Sequence, residues 1–207
     1  MHEEIGGVIH RGSAGSGSGG LRWRAMGRGD LVIDLVTGAA PVRFHELLAR
    51  RFQVVSLDAA DIGSTDAGDL RIALGEVIAA TGQKRFSVVI RGAALPLVLD
   101  ALRGCAGQVE TLVLMAPPRE ADAATFDALS GAAQRLLVLS GTRGVESPPE
   151  AGSRFRARVS GCQYVLVYDA GDAIELDRPE AAASVAGDFL ERRERFIVAH
   201  ASGLIHP

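Results

Sequence analysis

The sequence predicts an α/β fold with a mostly parallel sheet and helices on both faces. Residues 86–90 and 109–115 are short apolar runs rich in β-branched residues, which is typical of strands buried on both faces. The intervening residues 95–105 keep one face apolar at helical spacing, as in a strand-helix-strand unit. With 207 residues, of which 47% are hydrophobic, the chain can bury one sizeable core. We therefore predict a single domain over residues 1–207.

Further elements are predicted along the rest of the chain. Residues 21–26 alternate in polarity as an exposed strand does, and residues 69–80 repeat apolar side chains at helical spacing. Residues 1–29 are predicted to form a strand pair joined by the Gly/Ser loop 12–20, and residues 195–207 a tail with two short strands. Further strands are predicted at 5–10, 30–38, 53–58, 135–140 and 164–168, and further helices at 44–52, 178–194 and within 116–134.

One segment carries a motif with chemical meaning. In residues 85–118 a buried strand runs into a small-residue turn, then into a helix with Pro96 in its first turn, and then into a second strand. This unit resembles the nucleophile elbow of the α/β-hydrolase family, whose signature is G-x-S-x-G. The resemblance covers about residues 20–195 in the family's order of elements. Residues 116–134 hold only a loop and one helix, so no cap domain is expected.

The resemblance also places the three positions of the catalytic triad, and none of them holds the residue type that the triad needs there. The nucleophile position falls on Gly92, the acid position on Gly144 and the histidine position on Asp172. A shift of one residue at the elbow would place Arg91 or Ala93 there instead. Acyl transfer needs a hydroxyl or thiol, an imidazole base and an orienting carboxylate. The resemblance therefore implies a protein without catalytic residues at these positions, and we lean against an enzyme.

Two details of these positions are left open. Glu146 or Asp169 could supply the acid, although an acid without a base and a nucleophile has nothing to orient. The elbow forces strained dihedrals on the residue at its tip, and glycine tolerates them. Gly92 would then preserve the shape of the elbow turn after the nucleophile has been lost.

The residues that remain at the site are candidates for binding. The family usually has His-Gly where this chain has Thr37-Gly38. Arg91 and Arg143 could form ion pairs with Asp172 and fill the empty site, or an unpaired arginine could hold a carboxylate or phosphate. The ligand-binding candidates are Thr37, Gly38, Arg91, Gly92, Ala93, Arg143 and Asp172.

Two functions are compatible with these observations. The favoured one is a catalytically silent α/β-hydrolase-like protein that binds a small molecule or a protein partner as an accessory subunit. The alternative is a hydrolase of a small ester, thioester or lactone with relocated catalytic residues. That set would use His45 as base with Thr37, Ser56, Asp58 or Ser64 near the pocket.

Composition excludes other classes of function. The formal charge is −3 and basic residues are scattered, which does not fit a nucleic-acid binder. No run approaches the roughly 20 apolar residues that cross a bilayer, so we expect no membrane association and a cytoplasmic location. Residues 15–20 match G-x-G-x-x-G, but no helix pattern follows, so no dinucleotide, other cofactor or metal is predicted. Cys105 and Cys162 are read as ordinary small residues. The apolar tail predicts a homodimer, or equally packing on its own sheet.

Overall fold

One mixed β-sheet forms the centre of the fold. The computed structural model describes residues 10–14, 21–58, 65–105, 107–133, 135–196 and 204–205. Within these residues nine strands form one sheet in the order β1-β2-β4-β3-β5-β6-β7-β8-β9, and only β1–β2 and β2–β4 pair antiparallel. The strands are β1 His10–Ala14, β2 Leu21–Met26, β3 Leu31–Val36, β4 Gln53–Asp58, β5 Phe86–Arg91, β6 Val109–Met115, β7 Arg135–Gly141, β8 Gln163–Val167 and β9 Leu204–Ile205. The helices are α1 Val42–Leu48, α2 Ala67–Thr81, α3 Leu95–Leu102, α4 Ala123–Ala132, α5 Pro149–Arg158, α6 Ile174–Asp177 and α7 Pro179–Arg192.

Helices cover both faces of the sheet because the central strands are apolar on both sides. In β3, Leu31, Ile33 and Leu35 pack against the layer of α2, α3, α4 and α5, whereas Val32 packs against α1, α6 and α7. The parallel strands need such crossover helices, and their alternating side chains feed two separate cores. The predicted α/β fold, with a mostly parallel sheet and helices on both faces, is confirmed.

The caps of α2 show how the sequence sets a helix end. Asp66 lies before the helix, and its carboxylate accepts a hydrogen bond from the backbone N–H of Asp69 at 2.8 Å. The helix ends at Gly82, which has a left-handed φ of 67° that suits a residue without Cβ. Both ends lie within a few residues of the predicted helix 69–80.

The prediction for the N-terminal strands is wrong in part. We predicted a strand at residues 5–10, but the first described strand is His10–Ala14, and residues 5–9 lie outside the described part of the chain. Residues 12–14 were assigned to a loop because Gly and Ser disfavour strands. Antiparallel pairing with β2 places them in the sheet nevertheless, since Gly12 opposes Trp23 and Ala14 opposes Leu21.

Two helices were missed and the tail has one observed strand. In α5 only Ala151, Gly152 and Phe155 are buried, so the apolar stripe is too sparse to indicate a helix, and α6 has just four residues. Leu204–Ile205 pairs in parallel with β8 of the same sheet. This pairing matches the alternative that we kept for the tail, while the predicted strand at 196–198 lies largely outside the described residues.

Candidate functional site at the carboxyl edge of the sheet

The predicted site residues lie where parallel strands end. Thr37 and Gly38 follow β3, Gly92 follows β5, and Arg143 follows β7. Ligands of open α/β sheets bind at this edge, which we call the carboxyl edge. Two groups of contacts lie near this edge, a buried charge cluster around Arg91 beneath α1 and α6, and a loop contact between residues 144–147 and Asp172.

Arg91 is the centre of the buried charge cluster. Its guanidinium donates hydrogen bonds to Asp34, to Glu175 Oε1 at 2.7 Å and to the carbonyl oxygen of Leu35 at 3.0 Å. Asp34 also accepts a hydrogen bond from His45 Nε2 at 2.6 Å. All four side chains of this cluster are at most 11% exposed, so the ion pairs lie inside the protein. Arg91 Nη2 and Glu175 Oε2 are buried without a hydrogen-bond partner among the described residues.

The surroundings keep the two central charges ionised. Burial by itself raises the pKa of Asp34, but the charge of Arg91 and the hydrogen bond from His45 outweigh it and lower that pKa. Burial by itself lowers the pKa of Arg91, but the carboxylates of Asp34 and Glu175 raise it above its usual value. A buried charge of either sign would be costly without such a partner.

Gly92 is required by space and not by backbone strain. It begins a short 3₁₀ turn, Gly92–Ala94, and is not among the described residues with positive φ, so the expected strain at the elbow tip is wrong. A Cβ at this position would lie 2.0 Å from the carbonyl oxygen of Ala116 and 2.9 Å from the nitrogen of Pro118. The segment that follows β6 therefore occupies the place where an elbow side chain would stand.

Gly144 and Asp172 lie close together in the structure. The carboxylate of Asp172 accepts the backbone N–H groups of Val145, Glu146 and Ser147 at 2.8–3.1 Å. Burial by itself raises the pKa of Asp172, but these hydrogen bonds lower it overall. A Cβ on Gly144 would lie 2.4 Å from the carbonyl oxygen of Ser147 and 3.0 Å from Asp172 Oδ1, so the contact needs glycine there.

The proposed pairing of the arginines with Asp172 is wrong. Arg143 instead binds Asp169, through its carboxylate at 3.1 Å and its carbonyl oxygen at 2.8 Å. Arg91 is held by Asp34 and Glu175 on the α1 and α6 side. The reason is topological, because Arg91 extends from β5 into the layer beneath α1 and α6, whereas Asp172 bonds to the loop after β7.

The described residues of the relocated set form no hydrogen bond with His45. Within the described residues its ring is buried and hydrogen-bonds Asp34, not a hydroxyl group. Ser56 lies opposite Asp34 in the β3–β4 register, and Asp58 pairs with Arg22 at 3.2 Å. Ser64 lies outside the described residues.

The other candidates are exposed to different degrees. Ala93 and Gly38 are exposed, and Thr37 is half-buried. Gly38 has φ of 112°, a conformation that favours glycine, and no atom of the other described residues, its two chain neighbours aside, lies within 4 Å of the position of its Cβ. The loop after β3 is therefore open to solvent, unlike the elbow.

Sequence reasoning missed Asp34 and Glu175 as partners of Arg91. A signal existed for Asp34, since it is the one charged residue in the apolar strand Leu31–Val36, and a buried carboxylate needs a partner. Glu175 carries no such signal, because it lies in the four-residue helix α6.

Among the described residues, no group of three or more His, Cys, Asp or Glu side chains is placed to bind a metal ion, and no helix is long and apolar enough to span a membrane.

Solved structures share this fold. No protein-family model matches the sequence, and a search of curated proteins finds no match. A predicted CIB-like hydrolase from Thermoplasma acidophilum aligns with a TM-score of 0.71 at 15% identity, covering 90% of this chain and 100% of that one. A serine hydrolase involved in carbazole degradation, the CarC enzyme, aligns with a TM-score of 0.70 at 16% identity, covering 89% and 99%. Carboxylesterase CesB from Bacillus subtilis aligns with a TM-score of 0.66 at 13% identity, covering 90% and 93%. The chain therefore has the α/β-hydrolase fold, as the resemblance predicted.

Proposed function

We propose that this protein is a catalytically silent α/β-hydrolase-fold protein that acts by binding a protein partner. The observation that carries this proposal is the packing at Gly92, where the carbonyl oxygen of Ala116 lies 2.0 Å from the position of a Cβ. A nucleophile at an elbow must present its side chain to the substrate. At this elbow the segment after β6 leaves no room for one.

The charges at the carboxyl edge support binding to a protein over binding to a small anion. Arg91 donates to Asp34 and Glu175, although its Nη2 has no partner among the described residues, and Asp172 accepts backbone N–H groups. An anion would have to enter this buried cluster, which already holds the carboxylates of Asp34 and Glu175. Arg143 remains exposed, but it is paired with Asp169 on the surface.

Exposed apolar side chains at the same edge give such a partner a surface. Val42, Val145, Tyr168 and Leu176 are each at least 44% exposed, and we call these four residues the edge patch. They lie on connected segments, since α1 packs on α6, and Arg178 after α6 donates to the carbonyl oxygen of Tyr168. Apolar residues grouped in this way are typical of interaction sites.

We propose a second copy of this chain as the partner to test first. The charged side chains beside the patch form ion pairs, such as Arg43 with Glu180 and Arg143 with Asp169, so positive and negative charges surround the patch together. Such a balanced rim suits an identical surface, and two-fold homodimers are the commonest soluble assembly. The pairing of Leu204–Ile205 with β8 leaves the edge patch, and not the tail, as the support for this homodimer.

Light scattering on matched variants tests the binding role. Val145→Asp with Leu176→Asp places charge in the patch, while Ile72→Asp places charge at a similarly exposed apolar residue on α2. We expect a dimer for the wild type and for Ile72→Asp, and a monomer for the patch variant. A wild-type monomer would contradict the homodimer, and equal effects of both variants would contradict the patch.

Catalytic silence is tested separately. The full-length protein is incubated with p-nitrophenyl acetate, a thioester and a lactone, beside a heat-denatured sample, and with a fluorophosphonate probe followed by intact mass. We expect no turnover above the denatured sample and no labelled Ser or Thr, because a nucleophile, base and acid act as a unit. Stoichiometric labelling of any hydroxyl would overturn the proposal.

A second candidate is a hydrolase of a small ester, thioester or lactone. The observation that favours it is the fold shared with proteins described as a serine hydrolase and a carboxylesterase. In this case turnover should be lost in Ser56→Ala or Thr37→Ala. It should also be reduced in His45→Asn, although His45 is buried against Asp34.

A further inference from the structure

A groove between α4 and α5 is not used by the proposed function. It has a volume of about 390 Å³, within the range of small-molecule sites of about 300–1,000 Å³. None of the predicted site residues lines it. The residues of this α4–α5 groove are Ala121, Ala123, Phe126, Arg154, Ala157 and Arg158.

The sequence creates the groove by placing small residues on facing helices. Ala123 on α4 and Ala157 on α5 leave room that longer side chains would fill. Phe126 forms an apolar wall, and its ring packs edge-on against the buried Phe155 at a centroid distance of 5.1 Å and an angle of 69°. Arg154, Ala157 and Arg158 share one face of α5 because they are spaced three and four residues apart.

The groove is cationic. Arg154 donates to the carbonyl oxygen of Arg119 at 2.9 Å, which orients its guanidinium, and no carboxylate of the described residues lies within 4.0 Å of Arg154 or Arg158. Two like charges one helical turn apart repel each other. Asp122 lies between the lining residues Ala121 and Ala123. Its carboxylate caps α4, where it accepts a hydrogen bond from the backbone N–H of Thr125 at 2.8 Å.

The charge of Arg158 alone has an ordinary explanation, and the groove beside it does not. A basic residue in the last turn of a helix, such as Arg158 in α5, interacts favourably with the helix dipole. That interaction requires neither an apolar wall nor the three alanines that form an open groove beside the guanidinium groups. The combination is the pattern of a ligand site, in which apolar walls carry a few convergent polar groups.

We propose that the α4–α5 groove binds a small organic monoanion, a carboxylate attached to a compact apolar body. The carboxylate accepts hydrogen bonds from Arg154 and Arg158, and the guanidinium geometry suits a planar carboxylate. The apolar body contacts Phe126 and the alanines and is removed from water. A neutral molecule of the same shape lacks the charge, and acetate lacks the apolar contact.

Calorimetry on the full-length protein tests this site with defined probes. Phenylacetate carries an aromatic body, hexanoate an alkyl body, acetate almost none, and phenylacetamide is the neutral counterpart of phenylacetate. We expect phenylacetate or hexanoate to bind, with the tighter of the two identifying an aromatic or an aliphatic acid. Acetate and phenylacetamide should bind at least about tenfold more weakly, since each loses one class of contact.

Substitutions on α5 test whether the acid binds in the α4–α5 groove. Arg154→Gln and Arg158→Gln should each weaken binding of the preferred acid about tenfold, the loss of one charge-assisted contact. Arg156→Gln lies on the same helix but not in the groove, and should leave binding unchanged. Failure of both acids to bind, equal binding of phenylacetamide, or an equal effect of Arg156→Gln would overturn the proposal. These outcomes are independent of the edge-patch experiment because no residue is shared.

Discussion

Replacing Arg91 by methionine tests the buried charge cluster. The substitution keeps an apolar stem of similar shape but removes the hydrogen bonds that Arg91 donates to Asp34, to Glu175 and to the carbonyl oxygen of Leu35. Asp34 retains its hydrogen bond from His45, whereas Glu175 is left as a buried carboxylate without Arg91. Removing one partner of a buried ion pair costs about 3–5 kcal/mol. That is a large part of the free energy of unfolding of a typical domain, about 5–15 kcal/mol.

The assay is urea unfolding at neutral pH, followed by far-UV circular dichroism. Arg91→Met should unfold at clearly lower urea than the wild type. Arg91→Met combined with Glu175→Gln should recover about 1 kcal/mol or more, because the second change removes the uncompensated charge. Arg143→Met is the matched control, since its ion pair with Asp169 joins side chains that are 63% and 52% exposed and should contribute less than about 1 kcal/mol.

Two results would refute this reasoning. An unchanged midpoint for Arg91→Met would show that the cluster does not stabilise the fold. An additive loss in the double variant would show that Arg91 and Glu175 are not energetically coupled, whatever the distance between them.

Three further outcomes are expected. Gly92→Ser should lower the free energy of unfolding by about 1–3 kcal/mol, because its side chain must displace Ala116, and it should not hydrolyse p-nitrophenyl acetate; activity would contradict this. Asp172→Ala should cost about 1–2 kcal/mol and speed amide hydrogen exchange at Ser147, which loses its acceptor, and unchanged exchange would argue against the contact. Asp34 has a folded-state pKa below its ordinary 3.8, so its stabilisation is present above pH 3.8 and lost as pH falls through the lower folded value. The urea midpoint should therefore fall in this acid range, and less so in Asp34→Asn.

The central sheet could be predicted from the sequence because burial on both faces leaves a local pattern. Strands β4 and β6 were predicted with their observed ends, Gln53–Asp58 and Val109–Met115. The edge elements were harder, since β1 depends on its pairing with β2 and has no apolar pattern of its own. Helix α5 was missed for a similar reason, as few of its side chains are buried.

The sequence predicted positions for the candidate site residues and not their contacts. Gly144 and Asp172 lie close together across two loops. The partners of Arg91 were not predictable, because Asp34 and Glu175 are 57 and 84 residues distant in sequence and reach it through different elements. Ion pairs of this kind depend on the packing of whole layers, which no local window records.

The sequence by itself determined the class of fold and the order of the central strands with most of their helices. Those properties depend on local periodicity and on residue identity. Only the tertiary structure decided that Ala116 fills the space above Gly92, and that Arg91 is neutralised by Asp34 instead of Asp172. The physical reason is that both results depend on which surfaces the folded layers bring within a few ångströms of each other.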